Sequence, residues 1–149
     1  MFRVLSVQLF LAGLSVAELV EIEYASSADN TKQKALFYDP KPGKPVPLIV
    51  ALHTWSGDYR QRHYKQIEEW VKEKGWVLIH PDFRGPAKRP EATGSELVVK
   101  DIVSAIEYAK KTSRIDEKAI FWLSGDQACI KSKLPVVIKL ASEPSRFMV

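Results

Sequence analysis

The chain is poor in the residues that build metal, redox and membrane chemistry. It has a single cysteine, Cys129, so no intramolecular disulfide and no thiolate cluster can form. Its three histidines, His53, His63 and His80, lack the His-x-x-x-His spacing of a zinc helix. No metal or other cofactor is therefore expected. No apolar run reaches the roughly 18 residues that span a bilayer. No Gly-x-Gly-x-x-Gly follows a strand pattern, which argues against a dinucleotide-binding domain. Glycine is sparse, with 7 in 149 residues and none after Gly125. There is no internal repeat and no low-complexity stretch. One-sided charge is also missing: residues 1–126 carry 18 Lys+Arg against 17 Asp+Glu. The formal +4 comes largely from Lys131, Lys133, Lys139 and Arg146, opposed there only by Glu143. Without a basic helix or an aromatic-interleaved basic stripe, nucleic acid is not an expected partner.

What is present begins with Met1-Phe2-Arg3, a short positive start, followed by a mostly apolar Val4–Val16. Ser15 and Ala17 put small residues where a signal peptidase reads. A secretory signal at residues 1–17, cleaved after Ala17, is the expectation, with a secreted or periplasmic location. The competing reading is a buried first strand or helix in a cytoplasmic protein. With the signal removed, no membrane partner is expected.

From Leu19, apolar Val20, Ile22 and Tyr24 alternate with Glu21 and Glu23, the period of a strand with one wet face. A turn cluster over Ser26–Thr31 leads to a second strand at Lys34–Tyr38, so an antiparallel pair at a sheet edge is predicted. Four prolines between Asp39 and Pro47 mark a loop. Leu48–Leu52, Trp76–Ile79 and Ala119–Leu123 are continuous apolar runs, suited to strands buried on both faces. Between them the spacing predicts helices over Tyr59–Lys74, capped by Asp58 and closed by Gly75, and from Thr93 or Ser95 to about Lys111. Thr93 and Glu96 have capping-box spacing, with Ser95 as a rival cap. The fold class is α/β: a mostly parallel sheet with flanking helices and an antiparallel N-terminal strand pair. Ligands in such sheets sit beyond the carboxyl ends of the strands, at the loops after Leu52, Ile79 and Leu123.

Those loops carry a resemblance. An apolar strand ending in His53-x-x-x-Gly57, a strand ending in Pro81-Asp82-x-Arg84-Gly85 and the helical Asp101–Tyr108 stretch follow in order. Together, over roughly Val20–Leu123, they are similar to the N-terminal half of the prolyl oligopeptidase-like branch of the α/β-hydrolases, serine peptidases and esterases. The resemblance implies a partial α/β-hydrolase fold over residues 18–126 and a peptide or small-molecule substrate. It implies that Thr54 and Trp55 lie where a backbone N–H serves the oxyanion hole, although Trp55 could instead pack over the sheet edge. His53, Asp82, Arg84 and Gly85 are expected to organise the loops rather than react.

The third loop departs from the family pattern. Where Gly-x-Ser-x-Gly belongs, the chain reads Ser124-Gly125-Asp126-Gln127-Ala128. Asp126 could be an aspartate nucleophile, Ser124 could serve after a two-residue slip, or the centre could be inactive; the last is favoured. No histidine follows residue 126, and Glu143 is the only acid there, so a general base and its orienting acid are lacking. Residues 127–149 form an atypical tail with no clean helical stripe. Pro135 interrupts it, Val136–Ile138 suggests a short strand, and a frame change or early stop would account for it. The expectation is a serine-hydrolase lineage that cleaves acyl bonds, with this chain truncated; the alternative is a non-catalytic fragment or pseudoenzyme. With roughly five strands, the Ala119–Leu123 run is expected to lack a neighbour on one side, an aggregation hazard.

Overall fold

A computed structural model describes residues 17–61, 65–124 and 138–140; at 124 and 138–140 it describes the backbone alone. Residues 1–16 of the predicted signal, Asp126 and nearly all of the tail lie outside the described residues.

Six strands form one sheet in the order β1-β2-β4-β3-β5-β6. The strands are β1 (Leu19–Ala25), β2 (Lys32–Tyr38), β3 (Val46–Leu52), β4 (Val77–Pro81), β5 (Ile115–Ser124) and β6 (Ile138–Leu140). The helices are α1 (Lys65–Lys74) and α2 (Glu96–Thr112). β1 and β2 are antiparallel, and β2 meets β4 antiparallel as well. β3 runs parallel to both β4 and β5, so the three apolar runs leave the sheet at one rim, as predicted. β3 connects to β4 on one side, and the chain then crosses to β5 on the other. The direction of winding therefore reverses at β3, where open α/β sheets place their ligands.

Strands buried on both faces explain the unbroken apolar runs. Leu48, Val50 and Leu52 of β3 join Val77, Ile79, Ile120 and Trp122 beneath α2. Ile49, Ala51 and Leu78 point the other way, against Ile67 and Val71 of α1. Removing each such side chain from water contributes about 1.5–3 kcal/mol. The first strand starts earlier than its apolar run, at Val46. Pro47 has no N–H for the ladder, and the β3–β5 register shifts between Val46 and Leu48.

Several boundaries differ from expectation. α1 is helical over Lys65–Lys74 rather than from Tyr59. Asp58 does not cap it; its Oδ1 accepts from Arg60 N at 2.8 Å and closes a turn. The helix does end at Gly75, whose φ of 64° suits glycine. Gly75 N donates to Lys72 O and Trp76 N to Val71 O, a Schellman closure. At the second helix Ser95 is the cap, its hydroxyl accepting from Val98 N. Thr93 instead donates its hydroxyl to Arg89 O. The apolar edge expected at β5 is covered, because β6 pairs parallel along Ile120–Trp122. β6 begins at Ile138, two residues beyond the start of the expected strand.

Candidate active-site rim

The rim is built where β3 and β4 end, and its two loops are locked to each other. His53 follows β3 and is only 1% exposed. Its Nδ1 lies 2.8 Å from Thr54 O and its Nε2 lies 2.8 Å from Asp82 O. The ring stacks on Phe83 at 3.8 Å with planes 5° apart. Both ring nitrogens thus face backbone carbonyls, one in each loop, and the ring ties the two loops together. His80 sits inside β4, and burial, with His53 adding to it, holds its pKa down to about 3. It is neutral near pH 7 and belongs to the strand rather than to the loop.

The Asp82–Gly85 turn is backbone-strained. Phe83, Arg84 and Gly85 have φ of 31°, 79° and 75°, and for non-glycine residues such angles cost about 1–2 kcal/mol each. Three anchors oppose that cost. Phe83 is fully buried. Arg84 N donates to Gln33 Oε1 at 3.1 Å. The Arg84 guanidinium reaches Asp101 Oδ2 at 2.9 Å and Asp29 Oδ2 at 3.0 Å. Asp101 is 0% exposed, and burial pushes its carboxyl upward, opposed by hydrogen bonds from Ser26 and Arg84. Arg84 is thus a clamp between the rim, α2 and the β1–β2 turn. Asp82 faces the other loop, its Oδ1 accepting from Tyr59 N at 3.4 Å, and burial raises its pKa too.

The loop after β3 carries the two expected oxyanion donors, and the structure separates them. Thr54 N donates to Gln61 Oε1 at 2.9 Å, and Gln61 Nε2 donates to Thr54 Oγ1 at 2.7 Å. Thr54 O accepts from Gly57 N. Every polar group of Thr54 is therefore engaged. Trp55 O accepts from Ala87 N, whereas Trp55 N–H has no acceptor among the described residues. The Trp55 side chain is 46% exposed. Just before Gln61, the loop is moored to β1: Tyr59 Oη and Arg60 Nη2 both donate to Glu21 Oε2, and Lys34 pairs with Oε1. Arg60, then Lys34 and Tyr59, hold the Glu21 carboxyl down to about 2.

Leu52 and Ser124 are register partners on β3 and β5, so the Thr54–Trp55 loop and the nucleophile position begin side by side. Ser124 is the last residue of β5; Asp126 lies outside the described residues. Gln61, Glu21, Gln33 and Asp29 were not singled out from sequence as rim residues. A groove of about 600 Å³, lined by Val20, Ile22, Phe37, Lys41 and Tyr108, lies away from the rim, toward the amino ends of the parallel strands.

No protein-family model matches the chain, and no curated protein is similar to it. Solved structures do match. An S-formylglutathione hydrolase from Staphylococcus aureus aligns at 17% identity and TM-score 0.56, over 72% of this chain and 47% of that one. An esterase from Pyrococcus furiosus aligns at 19% and 0.56, over 72% and 42%. The acylaminoacyl peptidase of Pyrococcus horikoshii aligns at 17% and 0.57, over 74% and 19%. The chain thus spans less than half the length of these proteins. The fold is a partial α/β-hydrolase fold, matching the N-terminal part of such domains.

Proposed function

We propose that this chain carries the oxyanion side of an acyl-transfer site, in the lineage of serine hydrolases that act on esters or peptides. The single observation that carries the reading is the pairing of Leu52 with Ser124, from which the donor loop and the segment holding the nucleophile position set out on adjacent parallel strands. In acyl transfer, a nucleophile attacks the carbonyl carbon and negative charge moves onto the carbonyl oxygen. A backbone N–H fixed beforehand at that oxygen contributes about 3 kcal/mol to the transition state. Trp55 N–H is the donor assigned to this role. His53 and Asp82 tie its loop to the β4 loop that Arg84 holds, and none of the three is assigned a part in proton transfer.

The remaining parts of the chemistry are not supplied by residues 127–149, which contain no histidine and one acid, Glu143. The 149 residues are therefore proposed to be catalytically incomplete alone, with Asp126 at the nucleophile position as the runner-up to an inactive centre. Residues 1–17 are proposed to direct export, with a mature N-terminus at Glu18; intact-mass measurement of secreted protein checks this. Two measurements test the functional reading. A fluorophosphonate probe should leave the chain unlabelled, and a covalent adduct at Ser124 would overturn the proposed incompleteness. Phenylphosphonate, a small tetrahedral oxyanion, should shift the Trp55 amide in ¹⁵N NMR spectra. An unmoved Trp55 amide would remove the oxyanion assignment.

A further inference from the structure

We propose that Gln61 selects the oxyanion donor: by occupying Thr54 N–H it leaves Trp55 N–H as the uncommitted donor of the Thr54–Trp55 pair. The inference rests on the acyl-transfer reading above and adds a positioning residue to it. Two consecutive amides, Thr54 and Trp55, leave β3 at the rim, and either could in principle face a developing oxyanion. The Gln61 side chain resolves that choice by making a two-point clasp on Thr54, accepting from its N–H and donating to its hydroxyl. The clasp requires a bare backbone at Gly57: a Cβ there would lie 2.3 Å from Gln61 Oε1. Gly57 N in turn donates to Thr54 O, so Thr54 is held from three directions. Trp55 is fixed only through its carbonyl, by Ala87 N, and its N–H points to no protein acceptor among the described residues.

An amide with a fixed acceptor exchanges slowly with solvent, whereas one without is open to exchange. Gln61 also has a neighbour chemistry that can be varied at constant size. Glutamate keeps an acceptor for Thr54 N–H; methionine keeps the volume and removes it. The experiment is amide hydrogen exchange and phenylphosphonate titration followed by ¹⁵N NMR, on the wild-type chain, Gln61→Glu and Gln61→Met. In the wild type, Thr54 should exchange more slowly than Trp55, and phenylphosphonate should move Trp55 alone. Gln61→Met should speed Thr54 exchange roughly tenfold, the worth of one net hydrogen bond, and should make Thr54 move with phenylphosphonate as well. Gln61→Glu should retain slow exchange at Thr54, which a purely space-filling role would not require. Gly57→Ala, which displaces the same side chain without altering it, should reproduce the methionine result if Gln61→Met folds poorly. Fast exchange at Thr54 in the wild type, or unchanged exchange in both Gln61→Met and Gly57→Ala, would overturn the proposal. Slow Thr54 exchange with no phenylphosphonate shift anywhere leaves the clasp intact and removes the acyl-transfer reading, so the two failures are distinct.

Discussion

Two loops leave adjacent parallel strands at the same rim, and they are held by different physics. The loop after β4 is pinned by charge: Arg84 lies between buried Asp101 and half-exposed Asp29. The loop after β3 is pinned by hydrogen bonds among the neutral groups of Thr54, Gly57 and Gln61. The charged clamp holds three consecutive positive-φ residues, a geometry that few backbones adopt without compensation. The neutral network holds ordinary backbone and occupies Thr54 N–H while leaving Trp55 N–H uncommitted among the described residues. One loop thus consolidates the fold and the other is the one proposed to face an oxyanion, so damage to each should register differently.

The largest effect is expected at the clamp. Arg84→Met leaves Asp101 buried without its cation and should cost about 3–5 kcal/mol in urea unfolding. Arg84→Met with Asp101→Leu should recover most of that loss. A cost below about 1 kcal/mol for the single variant would mean that charge is not what holds this loop. Next comes His80, buried in β4. Its pKa of about 3 lies below the ordinary 6.5, so the unfolded chain binds the proton first. Its contribution is complete above about pH 6.5 and is lost as pH falls toward 3. His80→Leu should flatten the fall in melting temperature over that window; an unchanged slope would assign the acid sensitivity elsewhere.

Gly57→Ala should be milder, about 1–2 kcal/mol, because the added methyl meets the far end of a flexible side chain. The smallest effect belongs to the exposed mooring at Glu21. Its pKa of about 2 against an ordinary 4.5 means that the tie to Arg60, Lys34 and Tyr59 is complete above about pH 4.5 and weakens as pH falls toward 2. Glu21→Gln should shift the neutral-pH melting temperature less than any variant above. A shift as large as that of Arg84→Met would abolish the contrast between the two loops.

The sheet was legible in sequence because β3, β4 and β5 are apolar on both faces, which leaves uninterrupted runs at Leu48, Trp76 and Ala119. The antiparallel β1–β2 pair was legible from its period-two pattern and the intervening turn. The start of α1 was not. Tyr59 and Arg60 satisfy helical periodicity, yet partners distant in sequence, Glu21 and Asp82, draw them into a turn. Arg84 was recognisable as structural from the Pro-Asp-x-Arg-Gly pattern, but its partners were not: Asp29 read as a turn residue and Asp101 as an ordinary helix position. Gln61 gave no signal at all, because its role exists only once the Gly57 turn folds it back onto Thr54. The covered edge at β5 escaped because the short strand suggested at Val136–Ile138 carries no signal of which strand it pairs with; its partner is Ile120–Trp122.

The direction of the three central strands underlies both loops, since only parallel strands bring Leu52, Pro81 and Ser124 to one rim. Interstrand nuclear Overhauser effects on uniformly labelled protein test it most directly. The account predicts cross-strand contacts of the parallel type between Ile49 and both Leu78 and Phe121, with no close Hα–Hα pairs among β3, β4 and β5. Strong Hα–Hα contacts between β3 and β5, the mark of antiparallel pairing, would contradict it and dissolve the rim.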